Sequence, residues 1–173
     1  FIQNSFIFPR EPSFANSLVQ SIAGGNTMVF NSEAAKLLAK VPVEIGLIAH
    51  DWFLYIIVSA YHGNIFYDKN PLVEYRQHSL ALVGENRTLR AKINRIQKLL
   101  DGRFREWNGE NFKALGIFRA ELLKEKQAIL ILFGDMRSNQ IFVRLFAFLI
   151  SGIRRQTLFG NIALFIAVLL RKV

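Results

Sequence analysis

The chain has 173 residues, 51% of them apolar, with 16 Phe, 22 Lys/Arg against 13 Asp/Glu, and no Cys. That length and apolar content exclude a disordered chain and suit one domain with a real core, while the lack of cysteine excludes disulfides and thiolate metal sites. The formal charge of +9 is uneven, with 5 Lys/Arg against 6 Asp/Glu in residues 1–82 and 17 against 7 in residues 83–173.

In chain order, residues 1–12 read as an entry loop without the basic region and long apolar run of a signal sequence, and the missing initiator Met reads as a fragment. Ser13 precedes Phe14, Leu18 and Ile22, the spacing of one face of a helix of about three turns. Gly24-Gly25 breaks that pattern, and Asn26 to Asn31 reads as a short strand. A Gly-Gly pair lets backbone amides approach a ligand closely, with Asn26 and Thr27 adding side-chain donors and acceptors; the plainer reading is a turn. Asn31 or Ser32 can cap a helix over SEAAKLLAK, and the stretch from Val41 to Ala49, with Pro42 and Gly46, is a loop in which Glu44 reads as a solvated carboxylate.

The stretch His50 to Tyr61 predicts an apolar helix, with Phe53, Ile56, Ile57 and Ala60 at helical spacing and Gly63 as its stop. A carboxylate at the mouth of such a helix is a candidate general base, so Asp51 reads either as that base or as an N-terminal cap worth about 1 kcal/mol. His50 could orient Asp51, contact a phosphate, or serve only as a cap or surface group. Trp52 could stack on a sugar face or lie in the core. Asn64 to Asp68 and Leu72 to Gln77 read as short strands joined by a turn at Asn70-Pro71. Arg76 and His78 would then share a strand face, where Arg76 can grip a phosphate and His78 can ligate a metal or donate to a diphosphate; the alternative is an exposed strand end.

Beyond Leu80 the chain turns helical and basic. Asn86 to Leu100 predicts an amphipathic basic helix ended by Asp101-Gly102, and its sequon, Asn86-Arg87-Thr88, reads as accidental. Asn108 to Phe133 predicts a second long helix ended by Gly134-Asp135, and Ser138 or Asn139 would cap a third over IFVRLFAFLI. The uncharged run from Leu158 to Leu170 lies between Arg154-Arg155 and Arg171-Lys172. A bilayer span needs about 20 apolar residues, so this run is too short to cross and either lies in the membrane interface or packs on the domain. The basic second half suits an anionic lipid surface or a phosphorylated substrate, and it lacks the motifs of a nucleic-acid binder.

Taken together, GGNTMVFN, then HDW with an apolar helix, a Gly, an aromatic strand, a Pro and YRQH resemble the C-terminal half of a family 2 glycosyltransferase. The likeness is to the rhamnosyltransferase-like members that build bacterial surface polysaccharides, and it covers residues 20 to 90 best. It implies an α/β fold: the C-terminal half of a GT-A, Rossmann-like domain, mostly helical in this segment, with a few short strands and a C-terminal helical extension. Residues 1–82 would form the acceptor-side, catalytic half and residues 83–173 the basic helical region. The resemblance implies inverting transfer from a nucleotide-sugar donor, with dTDP-rhamnose as the candidate, to a glycan or lipid-linked acceptor. Asp51 would be the catalytic base. Gly24, Gly25, Asn26, Thr27, His50 and Trp52 would bind the acceptor, and Arg76 and His78 the diphosphate, with His78 a possible metal ligand. A divalent cation, Mg or Mn, would be held mainly by an Asp-x-Asp motif in an N-terminal half. The aspartates here, Asp51, Asp68, Asp101 and Asp135, include no such pair, so the expectation is a C-terminal segment that is inactive alone. Its place would be cytoplasmic and peripheral, on the inner face of the cell membrane, with no nucleic-acid partner. The alternative from another class is a non-catalytic, membrane-associated helical scaffold or partner-binding protein.

Overall fold

A computed structural model describes residues 7–61, 63–70 and 102–173. These residues form helices α1 (Phe14–Ser17), α2 (Ser32–Ala39), α3 (His50–Ala60), α4 (Arg103–Gly116), α5 (Lys124–Asp135), α6 (Ile141–Ile150) and α7 (Leu158–Leu169), with 3-10 turns at Gly25–Thr27 and Arg119–Glu121. No strand or sheet occurs among the described residues, and the expected α/β, Rossmann-like half-domain is corrected to a small helical domain.

The expected strands fail because nothing among the described residues offers their edges a partner. From Asn26 the chain enters a 3-10 turn, and Val29 beyond it is fully exposed. Residues Asn64 to Asp68 run as coil, with Phe66 largely exposed and Tyr67 resting on Phe8 at 5.9 Å between ring centroids. A lone extended segment gains neither ladder hydrogen bonds nor a covered face. The expected strand Leu72–Gln77, the basic helix Asn86–Leu100 and the boundary at residues 82 and 83 lie outside the described residues.

The helix at the centre is α3. Trp52 to Ile57 are all buried, which accounts for a sequence with no polar face over that span. Helices α1 and α2 pack against it. Asn31 caps α2 by accepting the Ala34 amide at 3.0 Å, and Ser13 caps α1 by accepting the Asn16 amide at 3.2 Å. The single helix expected over Asn108 to Phe133 is instead two, because α4 stops at Gly116, a poor helix former, and the 3-10 turn redirects the chain. That bend buries Leu115, Phe118 and Leu122 together.

Helices α5 and α6, and α6 and α7, pack as neighbours. Arg144, buried inside the apolar run of α6, joins α7 to the start of α6. Its guanidinium donates to the Val168 and Leu169 carbonyls at 2.9 and 3.0 Å and to those of Ser138 and Asn139 at 3.0 and 2.9 Å. The positive charge thus sits at the C-terminal, negative end of the α7 dipole. The anticipated side-chain cap of α6 by Ser138 or Asn139 does not form at its N-cap, which is Gln140.

One core unites both regions, running from Phe14 and Val19 through α3 to Leu164, Val168 and Val173. A buried polar network fastens them. Asn16 donates to the Arg154 carbonyl at 2.9 Å and accepts from Tyr55 at 3.1 Å and Gln156 at 3.2 Å, while the Trp52 indole donates to the Ser17 carbonyl at 2.7 Å.

Candidate functional site

The head of α3 meets the Gly24–Thr27 turn. The turn closes on itself, with the Thr27 amide and hydroxyl both donating to the Gly24 carbonyl at 2.9 and 2.8 Å. Its Gly25 amide then points outward and donates to Asp51 Oδ2 at 2.9 Å. Asp51 lies within the first turn of α3, and its Oδ1 accepts the Trp52 amide at 2.8 Å. Both carboxylate oxygens are therefore oriented by backbone donors, each with a lone pair left for a further hydrogen bond.

The turn approaches the head of α3 closely at Gly25. A Cβ there would lie 3.2 Å from His50 Nε2 and 3.4 Å from the Asp51 Cβ. The structure thus brings Gly24, Gly25, Asn26, Thr27, His50 and Asp51 to one exposed spot, with Asp51 partly covered. Trp52 turns the other way: it is buried with its indole donor satisfied by Ser17, so its ring belongs to the core and offers no face for stacking on a sugar. Arg76 and His78 lie outside the described residues.

A divalent cation does not fit the described part of this spot. Among the described residues no three His, Cys, Asp or Glu side chains converge, and His50 and Asp51 alone make a poor ligand set, too few for a cation that takes about six or more oxygen ligands.

A cleft of about 390 Å³, lined by Ser13, Ser59, Gly63, Asn64 and Lys126 among others, opens at the opposite end of α3. Asp51 and Ser59 are separated by about 12 Å along the helix axis, so the cleft and the Asp51 spot are distinct. At that same end, Tyr61 donates to Glu121 Oε2 at 2.6 Å, and Lys40 reaches the same oxygen at 3.2 Å. Burial and the adjacent Glu121 push the Tyr61 hydroxyl up, while the bonds from Tyr61 and Lys40 pull the Glu121 carboxyl down.

Sequence reasoning missed the Gly25–Asp51 bond and the role of Arg144. The second had a signal, since a single charge inside IFVRLFAFLI demands a buried partner; the first had none, because nothing local ties residue 25 to residue 51. A scan against protein-family models, a search of curated proteins and a search of solved structures each returned no match.

Proposed function

We propose that this chain carries the acceptor side of an inverting glycosyltransferase that moves a sugar, with dTDP-rhamnose as the candidate donor, onto a glycan or lipid-linked acceptor of a surface polysaccharide. The observation that supports the reading is the meeting of the Gly24–Thr27 turn with Asp51 at the head of α3. An acceptor hydroxyl hydrogen-bonded to the free lone pair of Asp51 would lose its proton to the carboxylate as its oxygen attacks the anomeric carbon. The nucleoside diphosphate leaves from the opposite face, and Arg76 and His78 are the groups assigned to it. His50, Asn26 and Thr27 line the acceptor approach. The reading needs a cation, and no described residue is assigned to it. The enzyme would work peripherally on the cytoplasmic face of the cell membrane.

A second reading, a non-catalytic membrane-associated scaffold, draws on one observation: both Asp51 oxygens accept backbone amides, one of them from the Gly24–Thr27 turn, as in a purely structural tether between turn and helix. In the transferase complete with its donor-binding part, Asp51→Asn lowers turnover by at least about a hundredfold and leaves nucleoside diphosphate binding unchanged. Arg76→Ala and His78→Ala weaken that binding, less so at high salt. Turnover assays and calorimetry measure both, and near-normal turnover of Asp51→Asn would leave the scaffold reading in place.

A further inference from the structure

Helices α6 and α7 are anchored inward by Ala147, Leu164, Ala167 and Val168, yet leave their outer sides bare. On α6 the exposed apolar residues Phe142, Phe146, Leu149 and Ile150 follow the i, i+4, i+7, i+8 pattern of one stripe. On α7 a second stripe holds Leu158, Phe159, Ile162, Phe165 and Ile166. Phe142 and Phe159 are each 83% exposed, far more than core packing would leave. The two helices are neighbours, since Phe165 meets the half-buried Phe148 of α6 at 5.9 Å between ring centroids. Exposed apolar residues in this number, on two helices packed side by side, mark a place where something other than water is met.

The charge around it selects what. Met136 to Val173 contains six Lys/Arg and no Asp/Glu. Arg154, in the link between the helices, and Arg171, directly after Leu170, are exposed at opposite ends of the hairpin. Arg171 also belongs to a group with Arg105, Arg137 and Arg144, none of which is ion-paired to a carboxylate among the described residues. Burial, then the charges of Arg105 and Arg171, bring the Arg137 guanidinium down to about 10, as expected of crowded cations lacking an anion. Neither helix can cross a bilayer: no helix among the described residues is long and apolar enough. A short hairpin with apolar outer faces and basic ends has the shape of an element lying flat at a lipid surface.

We propose that the α6–α7 hairpin is the membrane-binding surface of this protein, with Phe142, Phe146 and Phe159 entering the headgroup–acyl boundary of an anionic phospholipid leaflet and Arg154 and Arg171 meeting lipid phosphates at the hairpin's two ends. The inference rests on the peripheral placement proposed above and is independent of glycosyl transfer. The full chain is sedimented with phosphatidylcholine vesicles and with vesicles containing about one-third phosphatidylglycerol. Wild-type protein binds the anionic vesicles more tightly, and salt weakens but does not abolish the binding. Phe146→Ser with Phe159→Ser, both at exposed positions and checked for unchanged circular dichroism, reduces binding by at least about tenfold. Arg154→Gln with Arg171→Gln removes the preference for anionic lipid. Unaltered binding by the double serine variant overturns the hairpin assignment while leaving a peripheral placement through another surface. Absence of binding to either vesicle overturns both. A wild-type dimer in light scattering that the serine variant dissolves, without vesicle binding, assigns the face to a second copy and overturns the proposal.

Discussion

Tyr55 is the side chain on which the N-terminal segment is hung. Its hydroxyl accepts the Ser13 amide at 3.0 Å and lies 3.2 Å from the Ser13 carbonyl and 3.1 Å from Asn16 Oδ1. Burial pushes that hydroxyl up to about 12, against the partial opposing effect of the Ser13 backbone. A folded-state value above the ordinary one of about 10 means that the stabilisation is complete below pH 10 and is lost as pH rises toward 12. Its size is on the order of 2 kcal/mol. Tyr61 shifts in the same direction and adds to the alkaline loss, whereas the lowered Glu121 contributes stability that fades in acid. Urea midpoints at pH 8 and pH 11 check this: wild type loses stability across the interval, and Tyr55→Phe, weaker by about 1 kcal/mol at pH 8, shows a flatter decline. An equal decline in both proteins would place the alkaline sensitivity elsewhere.

At the scale of elements, Arg144 decides whether α6 and α7 stay paired. Four backbone carbonyls receive its guanidinium and, among the described residues, no carboxylate is ion-paired to it. Arg144→Leu therefore removes a donor from the Leu169, Ser138 and Asn139 carbonyls, while Val168 keeps the Arg171 amide, and costs about 2–4 kcal/mol, read as a drop in the denaturant midpoint. Arg144→Lys recovers only part of it, since an ammonium cannot reach four acceptors in a fixed fork. The elements most legible in the sequence were those with a cap and an apolar period agreeing with each other. Asn31 before SEAAKLLAK is such a case, whereas the helix after Asp51 was legible from its apolar period alone, since its N-cap, Ala49, makes no side-chain bond. Elements failed where local pattern needed a distant partner: Asn26–Asn31 and Asn64–Asp68 alternate well enough for strands, but pairing is a property of the fold and not of five residues. The long helix over Asn108 to Phe133 failed differently, because Gly116 breaks a period that continues through it in Leu115, Phe118 and Leu122. At the candidate site, the residue types of the turn and of the α3 head were readable. Their meeting, and the inward turn of Trp52, were set by packing.

For the whole molecule, the polar bonds through Asn16 and Gln156 tie the segment around α1 to the link between α6 and α7. The Ser17, Leu18 and Gln156 amides are then expected to exchange with deuterium through one common opening, at the global rate. Native-state hydrogen exchange followed by NMR measures it, and earlier exchange of Ser17 than of Gln156 would show that the N-terminal segment opens by itself. The bond from Asn16 to the Arg154 carbonyl also joins residues 138 apart in sequence. Helical proteins fold quickly when their contacts are local, and this closure is the opposite kind, one whose entropy must be overcome before any of its bonds can form. Helix α1 has only four residues, too few to persist unsupported. Its formation should then be among the last events of folding, and a slow final phase is expected after the remaining helices have assembled.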